Sequence, residues 1–209
     1  MNAYDTIKIK CTNKYLLKPI STFNIQFNPI TGKEKGRYFK SAEHSQIPFN
    51  IFVAEDYYND KLTIEFSSKI LLDKYPLLIN KNTIGECFYN LERLCVCKVD
   101  IDRVIEEAAV TSVDVTKDIR MELTDDMLNA LNENVGNYKR FKWAHYEKEG
   151  IEFISDVKST YGKEVFKLYD KSKEIIATSQ NRQFLSMLDN PHKVIAYFSG
   201  ITRFEATFK

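Results

Sequence analysis

Four segments alternate apolar and polar residues with a period of two: LTIEFSS at 62–68, VTSVDVTKD at 110–118, EVFKLYD at 164–170 and ITRFEATFK at 201–209. Side chains alternate across a β-strand, so this pattern commits each segment to a strand with one apolar and one polar side. Leu62, Ile64 and Phe66 stand opposite Glu65; Val113 and Val115 opposite Asp114; Phe166 and Leu168 opposite Lys167 and Tyr169; Phe204, Ala206 and Phe208 opposite Arg203 and Glu205. An antiparallel sheet with its apolar side on a core would expose all these polar groups together.

The rest of the chain supplies the surroundings of that sheet. Further strands are expected at 4–10, 22–28, 49–55, 141–147 and 151–156, with turn chemistry at Asn28-Pro29, Thr31-Gly32 and 57–60. Apolar residues at spacings of three and four predict a helix over about 82–96. Thr124 followed by two acids predicts a helix start, Gly136 a stop, and a last helix runs over about 174–188 to Asn190-Pro191. No repeat or linker stands out. The expected fold is α+β: a single domain over 1–209, with a central, mostly antiparallel sheet and helices packed on one face. Residues 1–47 are tied to it least clearly.

Composition restricts the partners. The net charge is only +1 over 209 residues, so attraction to nucleic acid must come from local patches. Residues 139–173 hold nine Lys or Arg against six Asp or Glu, a mild local excess. Cys11, Cys87, Cys95 and Cys97 lack the paired spacing of a zinc site and read as reduced thiols. No apolar run reaches the roughly 18 residues of a membrane span, and the first ten residues lack a signal-peptide core. The expectation is a cytoplasmic protein without membrane partners.

The polar sides carry a specific chemistry. Carboxylates such as Glu65, Asp114 and Glu205 suit Mg²⁺ or Mn²⁺, which prefer oxygen ligands. Such an ion polarises a phosphoryl oxygen. The phenol of Tyr169 has an ordinary pKa of about 10 and needs cationic neighbours to attack as phenolate. Trp143 and Tyr146 could stack on unpaired bases, core packing being the alternative for Trp143, and His145 reads as a half-exposed structural histidine, a third metal ligand or phosphate contact being the alternative.

The order KLTIEFSS, VTSVDVTKD, KLYDKSKE, SGITRFEATFK resembles the rolling-circle replication initiators of filamentous phages (the gene II type) and of plasmids (the Rep_trans type). The resemblance covers about residues 48–209. It implies a metal-dependent nicking-joining endonuclease that forms a 5′-phosphotyrosine intermediate on origin DNA. Tyr169 would be the nucleophile, Lys171 and Lys173 the basic residues that follow it, and Glu65, Asp114 and Glu205 the ligands of Mg²⁺ or Mn²⁺. Lys167, Arg203 and Trp143 would contact DNA, single-stranded or supercoiled, in a bacterial host cell, where helicase and polymerase would be further partners. The His-hydrophobe-His motif of the better-known initiators is absent, because His44, His145 and His192 are scattered. Family members continue beyond the last motif. A non-catalytic protein that grips origin or single-stranded DNA is the alternative.

Overall fold

The computed structural model describes residues 3–44, 46–135, 141–146, 150–155 and 165–208. The architecture is α+β, with antiparallel pairing in every described strand ladder. Two compact units divide the chain: Thr6–Thr111, and Met1–Asp5 with Ser112–Lys209. The divisions fall inside β1 (Tyr4–Thr12) and β8 (Ala109–Arg120), not in a linker. Among the described residues, no helix is long and apolar enough to cross a membrane.

In the N-terminal unit the strand order is β3 (Asn24–Phe27), β4 (Glu34–Lys40), β5 (Ile51–Asp56), β6 (Lys61–Ser67), then β1. The β5–β6 turn closes because the Asp56 carboxylate accepts N–H bonds from Tyr58 and Asn59 at 3.0 and 3.2 Å. Registers Ile7↔Phe66, Ile9↔Ile64, Val53↔Ile64 and Phe39↔Val53 align the apolar residues on one side, and all of them are buried. Each such side chain contributes about 1.5–3 kcal/mol over leaving it in water. Helix α1 (Ile84–Arg93) covers this side, with Phe88 edge-on to Phe66 at 5.4 Å between ring centres. A separate ribbon pairs β2 (Leu16–Pro19) with β7 (Cys97–Val99), and Asp100 caps the short helix α2 (Ile101–Glu107). The segment 22–28 departs from expectation: β3 lies at the sheet edge, and Ile25 and Phe27 are exposed although Phe23 is buried.

In the C-terminal unit the order is β8, β12 (Ile201–Phe208), β11 (Val165–Asp170), β10 (Gly150–Ser155), β9 (Phe141–Tyr146). The Thr124 hydroxyl accepts the Met127 N–H at 3.3 Å and opens α3 (Asp125–Val135). The expected helix over 174–188 is instead two helices. Asp170 caps α4 (Lys171–Ala177), and Thr178 breaks the run by capping α5 (Ser179–Ser186). Pro191 opens a further helix, α6 (Pro191–Phe198), where its missing N–H is not needed.

The polar side of β12 and β11 is the covered one, contrary to expectation. Arg203 is fully buried and Glu205 nearly so, whereas Phe204 and Phe208 remain 38% and 46% exposed. The reason is that α4 and α6 lie against the polar side: the Phe198 ring of α6 sits 5.2 Å from the Arg203 guanidinium carbon and 5.7 Å from Lys171 Nζ.

Candidate active site around Tyr169

Strand registers set which groups can meet. Tyr169 stands opposite Arg203, Lys167 opposite Glu205, Asp118 opposite Arg203, Thr116 opposite Glu205, and Asp114 opposite Thr207. Directly opposed residues share a sheet face. Tyr169, Lys167, Arg203, Glu205, Asp118 and Asp114 therefore lie on one side of three adjacent strands.

The centre of this face is Arg203. Its Nε and Nη2 donate to the two oxygens of Asp118 at 2.7 and 3.0 Å, and Nη1 donates to Asp5 Oδ1 at 3.1 Å. Glu205 Oε1 lies 4.0 Å from Nη1. This forked pairing offsets the cost of burying a guanidinium. Tyr169, only 3% exposed, donates its hydroxyl to Glu205 Oε1 at 2.5 Å. Lys171, 2% exposed, holds its ammonium 5.5 Å from the Tyr169 ring centre and pairs with Glu174. The Asn181 side-chain amide donates to the Glu174 carbonyl and carboxylate, holding that acid in place.

This setting shifts two ionisations. Burial, reinforced by Asp5, raises the Glu205 carboxyl to about 7 against the opposing pull of Arg203 and Lys171. Burial and the Glu205 charge push the Tyr169 phenol well above its ordinary value. The pair thus comprises a neutral phenol hydrogen-bonded to a carboxyl that titrates near neutral pH, and the upward shift of the phenol disfavours the phenolate.

Other expected site residues stand elsewhere. Glu65 belongs to the N-terminal unit, where it pairs with Lys8 at 3.0 Å and accepts from Asn50 at 2.8 Å. Asp114 is half-buried, four residues along β8 from Asp118. Lys167 forms an ion pair with Glu152 at 3.8 Å, and Lys173 is exposed beside Asp170 at 3.5 Å. Trp143 stands opposite Phe153 in register; its side chain, with those of His145 and Tyr146, lies outside the described residues. Arg203 is corrected from a surface DNA contact to a buried hub, since its donors are committed to carboxylates under Phe198.

The carboxylates do not fit a divalent cation in this arrangement. The guanidinium already fills the space between Asp118, Asp5 and Glu205, and Glu205 also holds the Tyr169 hydroxyl. Among the described residues no three acidic, histidine or cysteine side chains are gathered for a metal. Within the C-terminal unit, Asp114 stands opposite Thr207 and Glu205 opposite Thr116, while Glu65 belongs to the N-terminal unit.

Three members of the cluster escaped the pattern reading. Asp118 lies on the Asp114 side of β8 and alternation alone could have found it. Asp5 shares its side of β1 with Ile7 and Ile9, so alternation argues against it. Glu174 is placed by the α4 turn that begins at Lys171. Comparison with protein-family models and with curated proteins gives no match for this chain.

Proposed function

We propose that this chain is a rolling-circle replication initiator that nicks and rejoins origin DNA through Tyr169, as the order of its four motifs implies. The observation that carries the reading is the 2.5 Å hydrogen bond from the Tyr169 hydroxyl to Glu205, beside the Arg203 and Lys171 cations. In the step, the Tyr169 oxygen forms a bond to phosphorus while the bond from phosphorus to the 3′-oxygen breaks. Glu205 takes the phenol proton, and the departing 3′-oxygen takes a proton from water, leaving a 3′-hydroxyl and a 5′-phosphotyrosine. The phosphodiester energy is retained in that linkage, so a 3′-hydroxyl can reverse the step. Arg203 and Lys171 supply positive charge near the oxygens that become more negative. The resemblance adds Mg²⁺ or Mn²⁺; no step here is assigned to it. Because Tyr169 is only 3% exposed, DNA entry requires the side chains that cover it to move aside.

The test is a denaturing gel after incubation with labelled origin or single-stranded oligonucleotides, with Mg²⁺, with Mn²⁺ and with chelator. A label-bearing protein band that vanishes in Tyr169→Phe supports the reading. Undiminished labelling in that variant rejects Tyr169 as nucleophile.

The second reading is a replication protein that grips origin or single-stranded DNA without cutting it. The burial of Tyr169 and the occupation of the carboxylates by Arg203 favour it. It predicts salt-sensitive retention of DNA with no covalent band in any metal.

A further inference from the structure

The strands of the two units differ in what they leave open. In the N-terminal unit the apolar side is covered, and the opposite side bears a groove of about 260 Å³ whose lining includes Lys8, Lys10, Lys35 and Phe52. Register explains the assembly. Lys8 and Phe52 both stand opposite Glu65, Lys10 and Ala54 both stand opposite Thr63, and Tyr38 stands opposite Ala54. The Tyr38 and Phe52 rings are 6.3 Å apart and tilted by 32°, and Lys8 Nζ lies 5.8 Å from the Phe52 ring centre.

Glu55 and Asp56 also line the groove, and each is already engaged. Glu55 pairs with Arg37, and Asp56 accepts from the turn amides at 58 and 59. Glu65 is held by Lys8 and Asn50. Lys10 and Lys35 are exposed. The groove therefore presents positive charge over aromatic rings. Cations that track a phosphate backbone, joined to rings that offer a stacking face, are the two elements that seat an unpaired strand. A duplex keeps its bases stacked on one another and could use only the cations.

We infer that this face of the N-terminal unit seats a single nucleic-acid strand, with phosphates on Lys10 and Lys35 and a base against Phe52, whose ring Tyr38 supports. The seat assigns a role to residues 6–63, most of which lie outside the four motifs. It does not depend on chemistry at Tyr169.

The experiment is fluorescence anisotropy of the full chain with labelled dT20, rU20 and a 20-base-pair duplex between 50 and 200 mM salt. Lys10→Gln/Lys35→Gln is expected to reduce the salt slope for dT20 by about one to two. Phe52→Leu, which keeps an apolar side chain in place, is expected to weaken dT20 by roughly five-fold or more with the slope unchanged. The tighter of dT20 and rU20 identifies the strand, since both share the recognised chemistry. Anisotropy is read with chelator and in samples free of any covalent band, so failure of nicking and failure of this seat are separately visible. Unchanged unfolding midpoints confirm that the groove variants fold. The inference is overturned if neither groove variant alters dT20 binding, or if the lysine variant weakens strand and duplex equally while Phe52→Leu changes nothing.

Discussion

Arg203 and Asp118 face one another across β12 and β8 and share two N–H···O bonds of 2.7 and 3.0 Å beneath the Phe198 ring. A forked pair with both partners out of water behaves asymmetrically. Keeping it is close to neutral against apolar replacements, while removing one partner strands the other charge.

Arg203→Met is therefore expected to lower unfolding free energy by about 3–5 kcal/mol, read from urea denaturation. Arg203→Lys is expected to recover only part of this, because an ammonium cannot span both Asp118 oxygens while reaching Asp5. Equal stability of Arg203→Met and the parent would show that the guanidinium is not the hub.

Stability should depend on pH through Glu205. Its carboxyl is held protonated up to about 7 in the folded chain, against 4.5 as its ordinary value. The folded state thus binds more protons between those values. The stabilisation is fully present below about pH 4.5 and is lost as pH rises through 7, to a total of about 3 kcal/mol. Glu205→Gln is expected to flatten that slope in denaturation curves taken from pH 5 to 8; an unaltered slope would assign it to another group.

The same carboxyl fixes the expected pH profile of nicking. Proton abstraction needs ionised Glu205, so adduct formation should climb through about pH 7 and level off above it. Glu205→Gln should lower the single-turnover rate by about 10²–10⁴-fold and erase the rise. A rise that persists in the variant excludes Glu205 as the base.

Gly150 bears on the position of Tyr169 from the neighbouring strand. A Cβ at residue 150 would come within 2.1 Å of the Leu168 carbonyl oxygen and 2.5 Å of Tyr169 Cβ. Gly150→Ala must push β10 from β11, at a cost of about 1–3 kcal/mol. Thermal unfolding measures the cost, and a Tm matching the parent would mean the strands are further apart than this.

Helix boundaries offer a milder test. The Thr178 hydroxyl accepts the Asn181 N–H at 3.1 Å at the start of α5. Thr178→Ala should cost about 1 kcal/mol. Thr178→Asp, which keeps an acceptor, should restore most of it in the same denaturation assay.

The alternation that marks strands was legible along most of the chain. In β6 it also reported the inside correctly, because Leu62, Ile64 and Phe66 are all fully buried. In β12 the same alternation is equally clear and misleads, because Arg203 and Glu205 carry their own counter-charges and helices settle over them. Period two states that two sides differ and is silent on which one is covered. The break at Thr178 was hidden because Lys171–Ser186 keeps helix-compatible residues throughout, and only the Thr178 hydroxyl marks the interruption. Asp5 was illegible for another reason: no local pattern announces a partner 198 residues away.

That long-range contact has a practical consequence. A shortened gene product starting near residue 48, where the recognisable motifs begin, would discard Asp5 and leave the buried guanidinium with one fewer anion. Engineering the second unit as an independent piece calls for grafting residues 1–5 back, for instance through a flexible tether ahead of Ser112, so that an anion is restored against Arg203.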